Sequence, residues 1–239
     1  MDKAQRPRRD RRRSAVGLGP WALGLVVVTA VTSTETLQLD LDPRAVLEAV
    51  ALGQSAFDAD KVLFHRPYHF DAARTPLDMV DVVTPFRRVV IAAELRARAG
   101  DRRYGQREAL ALVDKFPGQV SVHAEFTFHP LNTFVLVPTY RVAWVTERGV
   151  RVEPAHFDAA PRFFARRGND SLPVPPESAG RGTPPGLPGR SQPMLGATVV
   201  AFFTGALLER KDDPVRAVVI EEVGQGELAR LPIDLARLR

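Results

Sequence analysis

Asp58, Asp60, His65, His69 and Asp71 fall within 14 residues of one another, and all five carry side chains that can ligate a divalent cation. An ion held there could serve a metal-assisted hydrolase. His65 and His69 are four apart, the spacing of one helical face, but Pro67 lies between them and argues against a helix. The two-histidine helical zinc geometry is therefore not expected. The competing reading is carboxylates that cap turns beside partly packed histidines.

A second set lies further on. His123, Glu125 and His129 would share one face of a strand, with His123 and Glu125 adjacent. At strand rise His129 would stand roughly 20 Å from His123, too far for one site without a bend. Asp78 and Asp81 form a candidate carboxylate pair, although three positions apart in a strand they point to opposite faces. The chain has no nucleophile elbow, phosphate loop, dinucleotide fingerprint or calcium-loop motif. With no cysteine, thiol nucleophiles, thiolate metal sites, disulfides and a lipidated N-terminal cysteine are excluded.

Charge gives a third candidate. The formal charge is +5, yet residues 1–13 hold seven cations and two anions, so the remaining chain is neutral. Without a global positive field the body has no broad drive toward phosphate, and nucleic acid is not an expected partner. Locally the signs separate: residues 35–83 carry nine anions and four cations, whereas 84–115 carry eight cations and four anions. Arg87, Arg88, Arg96, Arg98, Arg102 and Arg103, with Arg107 after them, could present a basic interaction surface to an envelope protein or an anionic membrane. The alternative is a solvated helix face paired with its acidic neighbours.

The elements that must position these residues follow from pattern. Asp42-Pro43 and Thr84-Pro85 are N-cap and first-turn signals, and each opens a run of apolar residues at helical spacing. They predict helices from Pro43 to about Ser55 and from Pro85 to Gly100, with a third over Gln106–Lys115. Residues 58–81 read as loop or short strand. From Gln119 the period becomes two: Val120, Val122, Ala124, Phe126 and Phe128 alternate with polar residues, the mark of a half-buried strand. Residues 133–146 are apolar on both faces, so both need cover, and the helices of the first half are the expected one. Further strands are predicted at 197–209, 215–223 and 227–235, the last two joined through Gly224-Gln225-Gly226. Residues 168–193 hold seven prolines and five glycines and are expected to be a disordered insertion.

Ahead of this body, the basic run is followed by the uncharged apolar stretch 15–31 and by Thr32-Ser33-Thr34, the order of an export signal. Residues 1–33 are thus expected to be a signal peptide or an uncleaved anchor, which would place the rest in the periplasm or outside the cell. The expected fold class is α+β, with a helical region at 35–117 packed on an immunoglobulin-like antiparallel β-sandwich at 119–239. The expected function is an exported, noncatalytic envelope binding or interaction module, partnered by an envelope protein or membrane surface. It needs no cofactor. The metal-assisted hydrolase, with its divalent ion, is the alternative.

Overall fold

The computed structural model describes residues 37–101, 103–163, 194–208 and 212–239. Residues 1–33, expected to be an export signal or anchor, and the proline- and glycine-rich stretch at 168–193, expected to be a disordered insertion, lie outside the described residues. Among the described residues no helix is long and apolar enough to cross a membrane.

Two of the helices start where their caps predict. In α1 (Pro43–Gly53) the Asp42 carboxylate accepts from the Ala45 N–H at 2.7 Å, and in α3 (Pro85–Arg98) the Thr84 hydroxyl accepts from the Arg87 N–H at 3.2 Å. A helix α2 (Asp58–His65) occupies part of the stretch read as loop or short strand. Its first turn carries Asp58 and Asp60, which favour the positive end of the helix, and it ends before Pro67. Helix α4 spans Gln106–Lys115. Val46, Ala49 and Val50 of α1 pack on Phe86, Val89, Val90 and Ala93 of α3, with Tyr104 and Ala109 closing this helical core. The crossing is close because Gly53 presents no side chain: a Cβ there would lie 2.4 Å from the Val90 carbonyl oxygen.

Among the described residues nine strands build two antiparallel sheets, so the fold class is α+β. They are β1 (His69–Arg74), β2 (Leu77–Val83), β3 (Gln119–Thr127), β4 (Tyr140–Thr146), β5 (Arg151–Val152), β6 (His156–Arg162), β7 (Gly196–Thr204), β8 (Val215–Glu222) and β9 (Gly226–Pro232). One sheet has the order β1-β2-β3-β7-β6, the other β5-β4-β8-β9. The hairpin β1–β2 comes from the first half of the chain and joins β3 through pairs such as Asp81 with His123. The β8–β9 turn uses Gly224 and Gly226 at φ +89 and +96, as the two glycines predict.

The even-numbered face of β3 (Val120, Val122, Ala124, Phe126) meets Val142 and Trp144 of β4 and Val218 and Ile220 of β8 in one apolar core between the sheets. Phe126 stacks on Tyr140 at 3.9 Å between centroids, and Trp144 meets Phe203 edge-on at 6.0 Å. Cover for the first face of 133–146 is thus the five-stranded sheet. That segment is also shorter as a strand than its pattern predicts. Residues 128–139 are irregular, and Leu131, Val135 and Leu136 are 80% or more exposed. Prolines 130 and 138, which cannot donate to a ladder, bracket the irregular part. Strands β5 and β6 have no apolar alternation to announce them: β6 pairs with β7 alone and is mostly exposed. The odd-numbered face of β3, with Ser121 and His123, is buried under α3 and α4.

Candidate functional site

The structure does not bring Asp58, Asp60, His65, His69 and Asp71 together. Asp58 pairs with Lys61 at 2.8 Å, and Asp60 is exposed on the same helix. His65 turns toward α3, where Nδ1 accepts from Arg87 Nε and Nε2 stands 3.2 Å from Glu94 Oε2. Arginine can only donate, so Nε2 must carry the proton that faces Glu94. His69 lies between two carboxylates, Asp71 at 3.1 Å from Nε2 and Asp81 at 3.4 Å from Nδ1. Among the described residues no group of three or more His, Asp or Glu side chains is arranged to hold an ion.

The two histidines instead belong to a largely buried polar chain that runs along α3 from His69 and Asp81 through Arg87, His65 and Glu94 to Arg98. Arg87 donates to Asp81 Oδ1 at 2.9 Å, to the Val82 carbonyl at 2.6 Å and to His65, while Glu94 accepts from Arg98 at 2.6 Å. Burial alone would raise the Asp81 carboxyl, but His69 and Arg87 outweigh it and hold Asp81 below the usual carboxylate range. The same carboxylate, with Asp71, raises His69 against the opposing effect of burial. Asp78 points the other way, accepting from the Thr127 hydroxyl at 2.5 Å, so the two aspartates share no site.

The arginine set divides as well. Arg87 is 1% exposed and belongs to the buried chain, so it is no part of a surface. Arg96 and Arg98 pair with Asp101 and Glu94, and Arg102 lies outside the described residues. Arg88 behaves differently. Its guanidinium sits 4.9 Å over the Phe116 ring, and burial lowers it to about 10.

Arg88 lines a cavity of about 470 Å³ between α3, α4 and the five-stranded sheet. Ile91, Ala92 and Leu95 of α3 face Ala111 and Leu112 of α4 across it, and Ser121, His123 and Phe202 form the sheet wall. Three polar atoms of residues that line it are buried, with no hydrogen-bond partner among the described residues: Tyr104 Oη, Gln119 Oε1 and His123 Nδ1. The other nitrogen of His123 meets Ser121 Oγ at 3.0 Å. Burial drives His123 down to about 4, so the ring is neutral near pH 7. Tyr104, also desolvated, rises to about 12. Of the strand set, Glu125 accepts from Thr198 and His129 from the Leu131 N–H, so His123, Glu125 and His129 do not assemble.

Sequence reasoning missed this cavity because its walls come from separated segments. The available signal was the polar alternation Gln119, Ser121, His123 immediately after two amphipathic helices, a polar strip on a sheet face that helices would cover. Compared with protein-family models, with curated proteins and with solved structures, the chain matches none.

Proposed function

We propose that the protein is an exported cell-envelope binding module without catalytic activity, whose ligand occupies the cavity between α3, α4 and the five-stranded sheet. The observation that carries this reading is the cavity: at about 470 Å³ it has the size of small-molecule sites, which run from about 300 to 1,000 Å³. Its long walls are apolar, and Arg88 sets a charged group at one end of them, the combination by which such sites join affinity to orientation.

Two features favour binding over turnover. Ser121 and His123 resemble a nucleophile and base, but His123 Nδ1 has no hydrogen-bonded carboxylate to fix its tautomer, and at about 4 the ring is a poor base near neutral pH. Export rests on the order of basic run, apolar stretch and small polar residues at 1–34. An envelope protein or membrane surface is the setting in which the module would work. The β part, two antiparallel sheets around one core, is of immunoglobulin-like layout, with the helical part packed against it.

The test uses the full chain and N-phenylnaphthylamine, an uncharged fluorescent probe. Saturable binding at one site is expected. It should be lost in Ala92→Phe and in Ala111→Phe, which fill the cavity from opposite helices, with melting temperatures unchanged. No binding, or undiminished binding in both variants, overturns the reading. A fused phosphatase that is active only outside the cytoplasm tests export, and an inactive fusion overturns that part.

A further inference from the structure

We propose that the ligand of this cavity is a single-chain amphiphile with a carboxylate head, the head resting on Arg88 and the tail running between α3 and α4 toward Tyr104. The proposal rests on the reading of the cavity as the binding site and adds the chemistry of its occupant.

The four arginines of α3 give the first reason. Arg87, Arg96 and Arg98 each have a carboxylate within ion-pair distance: Asp81, Asp101 and Glu94. Arg88 has none among the described residues and instead lies over the Phe116 ring. A guanidinium withdrawn from water without a counter-charge is costly, and a ligand anion is the partner that would relieve it. Its planar fork matches the two oxygens of a carboxylate.

The charge pattern along the cavity fixes the direction. At the Phe116 end stands Arg88, with no carboxylate partner among the described residues. At the other end Arg96 and Arg103 are accompanied by Asp101 and Glu108. An anion therefore gains most at the Arg88 end.

Between the ends the lining is Ile91, Ala92 and Leu95 opposite Ala111 and Leu112, with no charge to solvate. From residue 88 to residue 96 the helix rises roughly 12 Å. An extended chain advances roughly 1.2 Å per bond, so a tail of about ten carbons spans the distance. Burying such a tail is the main source of affinity, and the head supplies orientation and selectivity.

The experiment measures displacement of N-phenylnaphthylamine from the full chain by decanoate, decanol and decylamine. Decanoate is expected to displace the probe at least about tenfold more tightly than decanol, and decylamine more weakly than decanol. In Arg88→Gln the ratio of decanoate to decanol affinity should fall to about one. Equal displacement by decanoate and decanol in the wild type, or a preference that survives in Arg88→Gln, overturns the carboxylate assignment and leaves the site standing. Failure of the probe to bind at all overturns both.

Discussion

Arg87 Nη2 lies 2.9 Å from Asp81 Oδ1, and both side chains are 1% exposed, so helix α3 is joined to strand β2 by an ion pair in the interior. The pair is anchored further by the Val82 carbonyl and by His65, which accept two more of the guanidinium donors. Desolvation makes such a pair a weak source of net stability when intact, yet expensive to break from one side.

Asp81→Ala should therefore destabilise the protein by about 3–5 kcal/mol, because Arg87 would remain buried and unpaired. Adding Arg87→Met to that variant should recover much of the loss. Urea denaturation of the two variants measures the difference, and a double variant less stable than the single one would contradict the account.

His69 gives the pH dependence a definite sign. Its value is raised in the folded state, so its contribution is fully present below its ordinary value of 6.5 and is lost as pH rises through the folded value. Asp81, held low, contributes above its ordinary value of 3.8 and loses that contribution as pH falls through the folded value. The His69–Asp81 attraction thus operates between those limits. Being partly exposed, His69 is worth under about 1 kcal/mol. His69→Gln should lower stability near pH 6, and the gap from wild type should close as pH rises through the folded value. A gap that widens as pH rises would reverse the sign.

Gly53→Ala separates helix propensity from packing. Alanine should favour a helix by about 1 kcal/mol. Here its Cβ would meet the Val90 carbonyl oxygen at 2.4 Å and the Ala93 Cβ at 2.7 Å, contacts that require α1 and α3 to move apart. The packing cost, about 1–3 kcal/mol, should exceed the propensity gain, so the melting temperature should fall.

Trp144 is fully buried, and its indole N–H has no hydrogen-bond partner. Trp144→Phe removes that unpaired donor along with some volume, whereas Trp144→Ala leaves a large cavity. The alanine variant should lose about 3–5 kcal/mol and the phenylalanine variant clearly less. Equal losses by chemical denaturation would contradict this account, because the two variants differ in the volume they leave empty.

Local signals in the chain were faithful where chemistry between near neighbours decides. Asp42-Pro43 and Thr84-Pro85 predict the starts of α1 and α3, and Gln106–Lys115 is a helix with the predicted bounds. Gly224 and Gly226 predict the tight β8–β9 turn. What failed to show was anything set by partners distant in sequence. Edge strand β6 has no apolar period, because it is paired on one side only and is mostly exposed. Arg87 and Arg88 are consecutive and chemically identical, yet one meets Asp81 within the fold and the other faces a cavity. The helical phase relative to β2 and β3 decides between those fates. In the same way, His65 and His69 are close in the chain but belong to the end of α2 and the start of β1, whose different neighbours claim them.

Strand β3 is paired along its length by β2 on one side and β7 on the other, with the apolar core beneath it and the cavity above. Its amide protons have no local route to water, so their exchange with solvent should await opening of the whole body. A molecule seated against Ser121 and His123 stabilises the closed form by RT ln(1 + L/Kd), where L is its free concentration, so by more as that concentration rises above Kd. Occupancy should therefore slow exchange across β2, β3 and β7 together, well beyond the atoms the molecule touches.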